Sequence, residues 1–445
     1  MTSIGIAGLR GLIVSAPASA TGKTTVTLGL LRAIARRGIA VVPAKIGPDY
    51  IDPAFHVAAA GRPSINLDTW GMRPAMVAGL IAGLGKTADL AVVEGAMGLF
   101  DAASGPADPL ADGSTAALAA ATGWPVLLVV DCTGQAQSMG ALVRGFAAHR
   151  SGVRIGGVVL NRVASERHRR MVSEAVEAIG VPVLATLMRQ PDGIPSRHLG
   201  LVQAEELAEL SGLIDRLADQ IEMTGAVDAI IGLATANTLM GSPTTDPAIP
   251  PIGQRIAVAR DAAFGFAYPH LLDGWRHAGA EVMFFSPLAG AGPDPSCDAI
   301  YLPGGYPELH AGVLSTNRVF LDGVRQGASR GPVWGECGGY MVLGSGLETA
   351  DGARFPMAGL LGLETSFAKR RLQFGYRQAR LTEGGPLGEA GTRFRGHEFH
   401  YSTIVEEADD APLFDLRDAA GAVLPGAGRR RGSVFGSYLH LIDRV

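Results

Sequence analysis

The sequence predicts an α/β protein of two domains, each built on a parallel sheet, and three observations carry that expectation. Short apolar runs alternate with helical stretches along most of the chain, the pattern of strands buried on both faces beneath crossover helices. A nearly uncharged stretch rich in Pro, Thr, Ser and Gly, residues 236–254, interrupts the alternation with the composition of an exposed linker. In each half, a turn of small residues stands between an apolar run and a helix, where a backbone can approach a ligand closely.

At 445 residues the chain is long enough for two or three cores, taking about 150 residues per domain. Hydrophobic residues at 47% and charged residues at 18% exclude a disordered chain. With 38 Lys+Arg against 42 Asp+Glu and no long run of one sign, a nucleic-acid-coating surface is not expected. Cys132, Cys297 and Cys337 are too scattered for a disulfide framework or a four-ligand zinc site, which fits a reducing cytoplasm. The longest apolar stretch, Ala116 to Val130, is broken by Thr122, Gly123 and Pro125 and falls short of the ~20 residues that span a bilayer, so it reads as helix, turn and strand. Residues 1–20 hold one basic residue and run straight into the first small-residue turn, unlike a signal peptide. A cytoplasmic protein with no membrane or nucleic-acid partner is expected.

In the first half, strands are predicted at 11–16, 38–47, 90–96, 124–131, 154–163 and 181–187. The first leads into VSAPASATGKTTVTLGLL (14–31), a variant of the phosphate-binding G-x-x-x-x-G-K-[ST] loop with Pro17 where its first glycine would stand. Gly22 admits phosphate oxygens to the backbone, Lys23 reaches the terminal phosphates, and the hydroxyl of Thr24 suits Mg²⁺, with Thr25 following at the same helix end. These four residues are expected to bind ATP. The competing reading is an ordinary helix start; the strand before and the helix after weigh against it. Two acidic loops follow buried strands: KIGPDYIDPAFH (45–56), with Lys45, Asp49, Tyr50, Asp52 and His56, and VEGAMGLFD (93–101), with Glu94 and Asp101. Strand ends converge on one crevice in such sheets, which favours a substrate or metal role over chance acids in solvated loops. Asn161 is expected to bond a base edge, against the alternative of a helix N-cap.

After residue 254 a second alternation places strands at 255–261, 280–287, 298–305 and 331–339, helices at 265–278 and 317–329, and a last strand at 434–441. Cys337, in VWGECGGYMVLG (333–344), stands where a strand turns sharply into a helix, the setting of a nucleophile elbow that lowers a thiol pKa. Gly304 and Gly305, in LPGGYPELH (302–310), are expected to supply oxyanion donors. The base is expected to be His440, at the end of the last strand, with His397 and His400 of RGHEFHYS (395–402) as rivals. A metal set of His397, His400 and Glu398 would need helical spacing, whereas Phe399, Tyr401 and Ser402 read as strand. Cys132 and Cys297 lack such a setting and read as buried structural cysteines.

These motifs resemble a known family from end to end. The first half is similar to dethiobiotin synthetase and the second to a class I glutamine amidotransferase, and together they resemble the corrinoid a,c-diamide synthases. KIGPDYIDPAFH, VEGAMGLFD, ARDAAFGFAYPHLL (259–272), LPGGYPE, GECGGYM and GHEFHYS match that family in order. The resemblance implies a P-loop domain over 1–235, a linker at 236–254 and an amidotransferase domain over 255–445. It implies Cys337 as glutaminase nucleophile, His440 as its base, and Thr24, Asp49 and Glu94 as the Mg²⁺ environment. Lys45, Asp49, Tyr50, Asp52 and Asp101 would face the substrate or its acyl phosphate. Two departures stand out. Most class I glutaminases place Glu two residues after the histidine, where this chain has Ile442, a lack its family shares. In FDAASG, alanine replaces the glycine usual after the aspartate.

The activity implied is ATP- and glutamine-dependent amidation of the a and c carboxylates of hydrogenobyrinic acid. Carboxylates are poor electrophiles, so ATP would activate them as acyl phosphates while the second domain releases ammonia, which must pass between the domains. Cobyrinic acid and nickel sirohydrochlorin are the alternative substrates; the Ala-, Gly- and Arg-rich usage of an aerobic high-GC bacterium favours the metal-free one. A homodimer is admitted. A partitioning-type ATPase switch would explain Lys23 but not Cys337, and a scaffold with a dead glutaminase would need no reactive thiol.

Overall fold

The computed structural model describes residues 8–103, 110–189, 196–197, 200–201, 203–207, 209–239, 244 and 246–445. The backbone divides into two units, Met1–Trp70 with Pro74–Thr244, and Gly71–Arg73 with Thr245–Val445. The first alternates β1 (Arg10–Ser15), α1 (Lys23–Arg36), β2 (Val41–Ile46), α2 (Asp52–Ala60), β3 (Ile65–Leu67), α3 (Pro74–Leu84), β4 (Leu90–Glu94), α4 (Thr115–Thr122), β5 (Val126–Asp131), α5 (Ser138–Ala148), β6 (Ile155–Val163), α6 (Glu166–Glu177) and β7 (Val183–Met188). A short pair, β8 (Ser196–Arg197) and β9 (Gly200–Leu201), precedes α7 (Leu210–Met223), α8 (Val227–Leu233) and β10 (Thr235–Ala236).

The main sheet has the order β3-β2-β4-β1-β5-β6-β7, all parallel, with β10 antiparallel on β1. Every residue of β2 and β4 is buried, because helices cover both faces, and that is why these strands read as apolar runs up to the Lys45 and Glu94 near their carboxyl ends. Strand β1 lies between β4 and β5, so the winding reverses beside it and leaves a crevice at the strand carboxyl ends. The loops after β1, β2 and β4 open there. Each predicted strand of this half is present; β3 escaped prediction because it is three residues long. Residues 236–254 are not exposed throughout: Ala236 pairs with Arg10, and Ala248, Ile249 and Ile252 are buried.

The second unit contains β11 (Arg255–Ala259), α9 (Pro269–His277), β12 (Glu281–Phe285), β13 (Ala299–Leu302), α10 (Ala311–Thr316), α11 (Arg318–Ala328), β14 (Val333–Glu336) and α12 (Gly338–Leu343). There follow β15 (Gly346–Glu348), β16 (Arg354–Pro356), β17 (Leu363–Ser366), β18 (Gln373–Leu381), β19 (Arg393–His400), β20 (Thr403–Glu407), β21 (Ala411–Asp418), β22 (Val423–Arg431), β23 (Val434–Ser437) and β24 (His440–Arg444). The large sheet runs β12-β11-β13-β14-β23 in parallel and continues antiparallel through β22-β21-β18-β19-β24.

The predicted last strand at 434–441 is a correction. It is two strands: β23 lies parallel to β14, whereas β24 lies antiparallel to β19 at the far end of the strand order. Tyr438 and Leu439 make the break, with the Ser437 hydroxyl accepting Leu439 N–H at 3.2 Å and the Tyr438 hydroxyl accepting from Ser402 at 2.9 Å. His440 therefore opens a strand rather than closing one. No helix among the described residues is long and apolar enough to cross a membrane.

Candidate functional site

In the first unit the phosphate loop turns into α1 at Gly22, whose φ of 92° suits only a residue without a β-carbon. A Cβ there would also fall 2.2 Å from Asn161 Nδ2, which donates to the Thr21 carbonyl at 2.8 Å. Asn161 thus braces the loop, and the N-cap of α6 belongs to Ser165. Thr24 Oγ1 donates to Glu94 Oε1 at 2.6 Å, linking the start of α1 to the end of β4. Lys23 turns its ammonium onto the Met97 carbonyl at 2.5 Å; burial and the nearby Lys45 push its pKa down to about 8.

Glu94, fully buried, is the hub of this site. Its Oε1 also takes Lys45 Nζ at 3.1 Å, and its Oε2 meets His56 Nε2 at 2.7 Å. Lys45 bonds Asp52 as well, at its other side. Burial opposes each charge, but Lys45 and His56 outweigh it at Glu94 and hold that carboxyl well below the usual range. At Asp52 burial wins, and the carboxyl is pushed up to about 8 despite Lys45. The ion pair of this cluster is therefore Lys45 with Glu94. Asp49 uses Oδ1 to accept the N–H groups of Ile51 at 2.7 Å and Asp52 at 3.2 Å, fixing the start of α2, and Tyr50 is half-buried beside it. Asp101, exposed at the end of the following loop, accepts Gly98 N–H at 2.8 Å and lies near enough to Lys23 to act on its charge.

In the second unit Cys337 joins β14 to α12 with φ 46° and ψ −104°. The other positive-φ non-glycine residues described are Ala20 in the phosphate loop, Met97 against Lys23, and Arg162 beside Asn161. Backbone strain is thus gathered at the loops of the two sites. The turn at Cys337 is close-packed on the 302–307 loop. A Cβ on Gly339 would fall 1.9 Å from the Leu302 carbonyl oxygen, and one on Gly338 would fall 3.1 Å from Gly305 N. A Cβ on Gly304 would meet His440 Cε1 at 2.3 Å, so the imidazole lies directly over that glycine. Cys337, His440, Gly304 and Gly305 are thereby brought to one place. Behind His440 the ring of His397 stacks at 4.9 Å, and His400 stacks on Tyr438 at 3.8 Å.

The expected low thiol pKa is overturned. Burial pushes the Cys337 thiol far up, with Glu308 and Glu336 adding to it, and the Gly338 N–H offsets only part. Burial also holds His440 well below its ordinary value. At rest the thiol and the imidazole are both neutral. A helix of six residues is too short to outweigh that loss of hydration.

Strand β24, which begins with His440, is held residue by residue. Leu441 N–H donates to Glu336 Oε1 at 2.9 Å, the Ile442 carbonyl accepts from His270 Nε2 at 2.9 Å, and Arg444 N–H donates to the Ala248 carbonyl at 3.1 Å. Glu336, one residue before the cysteine, is buried and pushed up to about 8; its Oε2 accepts from the Tyr301 hydroxyl at 2.6 Å. It anchors the strand of the histidine in a chain that has Ile442 where a carboxylate is usual.

Residues 12–200 match the model of the CobQ/CobB/MinD/ParA nucleotide binding domain, and residues 255–444 that of the CobB/CobQ-like glutamine amidotransferase domain. Hydrogenobyrinate a,c-diamide synthases of Mesorhizobium japonicum, Rhodobacter capsulatus and Rhizobium meliloti are 50%, 53% and 51% identical to this chain, each match covering 98% of it and 99% of the relative. The chain belongs to the hydrogenobyrinate a,c-diamide synthase family. As expected from the sequence, the chain joins a nucleotide-binding domain to a glutamine amidotransferase domain. Sequence reasoning named His56 only as a member of the 45–56 loop, with no role of its own, and did not single out Glu336. For His56 a signal existed, since it stands one helical turn after Asp52 on α2.

Proposed function

We propose that this chain amidates the a and c carboxylates of hydrogenobyrinic acid in cobalamin biosynthesis, using ATP and glutamine at separate sites. The observation that carries the reading is the presence on one chain of a phosphate loop with Glu94 at its mouth and of the Cys337 elbow with His440 over Gly304. The names of relatives at this level of identity favour hydrogenobyrinic acid over its metal-containing counterparts.

In the first unit, Gly22, Lys23, Thr24 and Thr25 bind the ATP phosphates, and Lys23 leaves the Met97 carbonyl to meet the γ-phosphoryl group. A substrate carboxylate attacks that phosphorus, ADP departs, and an acyl phosphate remains. Asp49, Tyr50, Asp52 and Asp101 face the substrate, while Lys45 and His56 keep Glu94 ionised and fixed. The hydroxyl and carboxylate oxygens of Thr24, Glu94 and Asp49 are hard donors that fit Mg²⁺, which would neutralise phosphate charge there. In the second unit, His440 takes the Cys337 proton as the thiol attacks the glutamine amide, and the Gly304 and Gly305 N–H groups stabilise the oxyanion. The proton passes to the leaving ammonia, a thioester remains, and water releases glutamate. Ammonia displaces phosphate from the acyl phosphate to give the amide. A cytoplasmic setting suits a reaction fed by ATP and glutamine.

Substituting Cys337→Ser tests the division of labour. Glutamine-dependent amidation should fall by at least ~10³-fold, while amidation with ATP and free ammonium persists, best at high pH where NH₃ is abundant. Loss of both in a folded protein overturns the two-site reading.

A further inference from the structure

After burial itself, the strongest upward push on the Cys337 thiol comes from Glu308, ahead of Glu336 and Glu398. Two of these three carboxyls are engaged. Glu336 accepts from Leu441 N–H and from the Tyr301 hydroxyl, and Glu398 Oε2 pairs with Arg377 Nε at 2.7 Å. Glu308 differs, because its Oε2 is buried with no donor within hydrogen-bond distance. A buried carboxyl oxygen left unmet is expensive, so its presence beside a nucleophile points to a ligand that brings the donor.

The place of Glu308 is fixed by the loop that carries Gly304 and Gly305. Gly339 N–H donates to the Pro303 carbonyl at 3.1 Å, and a Cβ on Gly338 would fall 2.8 Å from Pro307 Cδ, so this loop lies hard against the cysteine turn. Glu308 follows in the single turn Pro307–Leu309, which Leu309 N–H closes on the Tyr306 carbonyl at 3.2 Å and His310 N–H on the Pro307 carbonyl at 3.1 Å. Both Cys337 and Glu308 act on the Tyr438 phenol, so the three groups lie within reach of one another. Burial pushes the Glu308 carboxyl up to about 7, and its own N–H and the exposed Arg370 offset only part. An arriving cation would draw it to the ionised form.

We propose that Glu308 binds the α-ammonium of glutamine, so that the amidotransferase unit accepts the amide of an α-amino acid and refuses the same amide without its amino group. The proposal rests on the reading of Cys337 as glutaminase nucleophile and adds to it the subsite for the far end of the substrate. In extended glutamine the ammonium nitrogen lies four bonds, about 5 Å, from the amide carbon that the thiol attacks. An acid close to the thiol and not bonded to it stands where that cation arrives. The ammonium brings three donors and a full charge to an oxygen that has none, and such charge-assisted bonds are strong in a desolvated place. Glu308 holds the substrate and takes no part in bond exchange.

The test uses the full-length enzyme with ATP and hydrogenobyrinic acid at saturation, and compares L-glutamine with glutaramate, the same amide without the amino group. The parent should favour glutamine in kcat/KM by at least ~10²-fold, since a site built to bond a group rejects the analogue that lacks it. In Glu308→Gln glutamine should lose on the order of 10²-fold, chiefly in KM. Glutaramate use, ammonium-dependent amidation and the rate at which iodoacetamide alkylates Cys337 should not fall with it. Glu308→Asp keeps the charge and should recover part of the loss. Equal use of the two amides by the parent, or a parental KM for glutamine in Glu308→Gln, overturns the proposal. Slower alkylation of Cys337 alongside the loss also overturns it, by making Glu308 a support of the cysteine turn. Should Glu308→Gln not fold, Glu308→Asp decides, a parental KM for glutamine sinking the idea. Failure of the two-site reading itself would show separately, in a Cys337→Ser enzyme that still consumes glutamine.

Discussion

At the scale of single residues, two glycines leave no room for a side chain beside the proposed catalytic and phosphate-binding groups. Gly304 has no room for a β-carbon, because His440 Cε1 would lie 2.3 Å from it and the ring is backed by His397. Gly304→Ala must therefore push the imidazole off its place, and a misplacement of about 1 Å costs on the order of 10²-fold in rate. Glutamine-dependent amidation should fall by that much while the ammonium-dependent rate stays, as initial rates with each nitrogen source would show. Gly22 is fixed twice over, by its φ of 92° and by Asn161. The proposed site residues that belong to a local pattern could be picked out from the sequence: the Gly22–Thr24 turn, Glu94 at the end of its strand, Cys337 between glycines. Arg73 and Asp443 could not, because their meaning lies in the ion pair they make across 370 residues. Glu336 was concealed by standing inside the cysteine motif, where its neighbour drew the interpretation.

At the scale of elements, burial separates what could be read from what could not. Strands of the parallel sheets are sealed on both faces and announce themselves as apolar runs. β18 and β22, nine residues each, show neither apolar runs nor clean alternation, since most of their side chains are partly exposed. Strand β19 offers a test of burial at its own level. His400 at its end is held neutral by desolvation down to about 4, whereas the unfolded chain protonates near 6.5. Between those values the unfolded state binds the extra proton, so acidification removes stability that is present at neutral pH. The loss from this one group between pH 7 and pH 5 is about 2 kcal/mol. In urea titrations of the second unit's transition, the gap between the parent and His400→Gln should move by that amount in the variant's favour at pH 5. An unchanged gap would mean that His400 is not desolvated.

At the scale of the whole molecule, one phosphate loop is present for two carboxylates. Amidation must then proceed in two turnovers at one site, and a monoamide must form between them. Mass analysis under limiting ATP should reveal it; substrate and diamide alone at every time point would mean that the intermediate never leaves. The placement of Gly71–Arg73 bears on a different matter, the dissection of the chain. A cut after residue 244 looks like the natural way to obtain a free glutaminase, yet the piece so produced lacks the guanidinium that matches Asp443. A buried carboxylate stripped of its partner costs about 3–5 kcal/mol, a large share of what holds a domain together. The two halves are spliced, not strung in series. A working fragment would have to carry a graft of 71–73 or an uncharged residue at 443, and a gene fusion that once joined separate proteins would have needed the same repair.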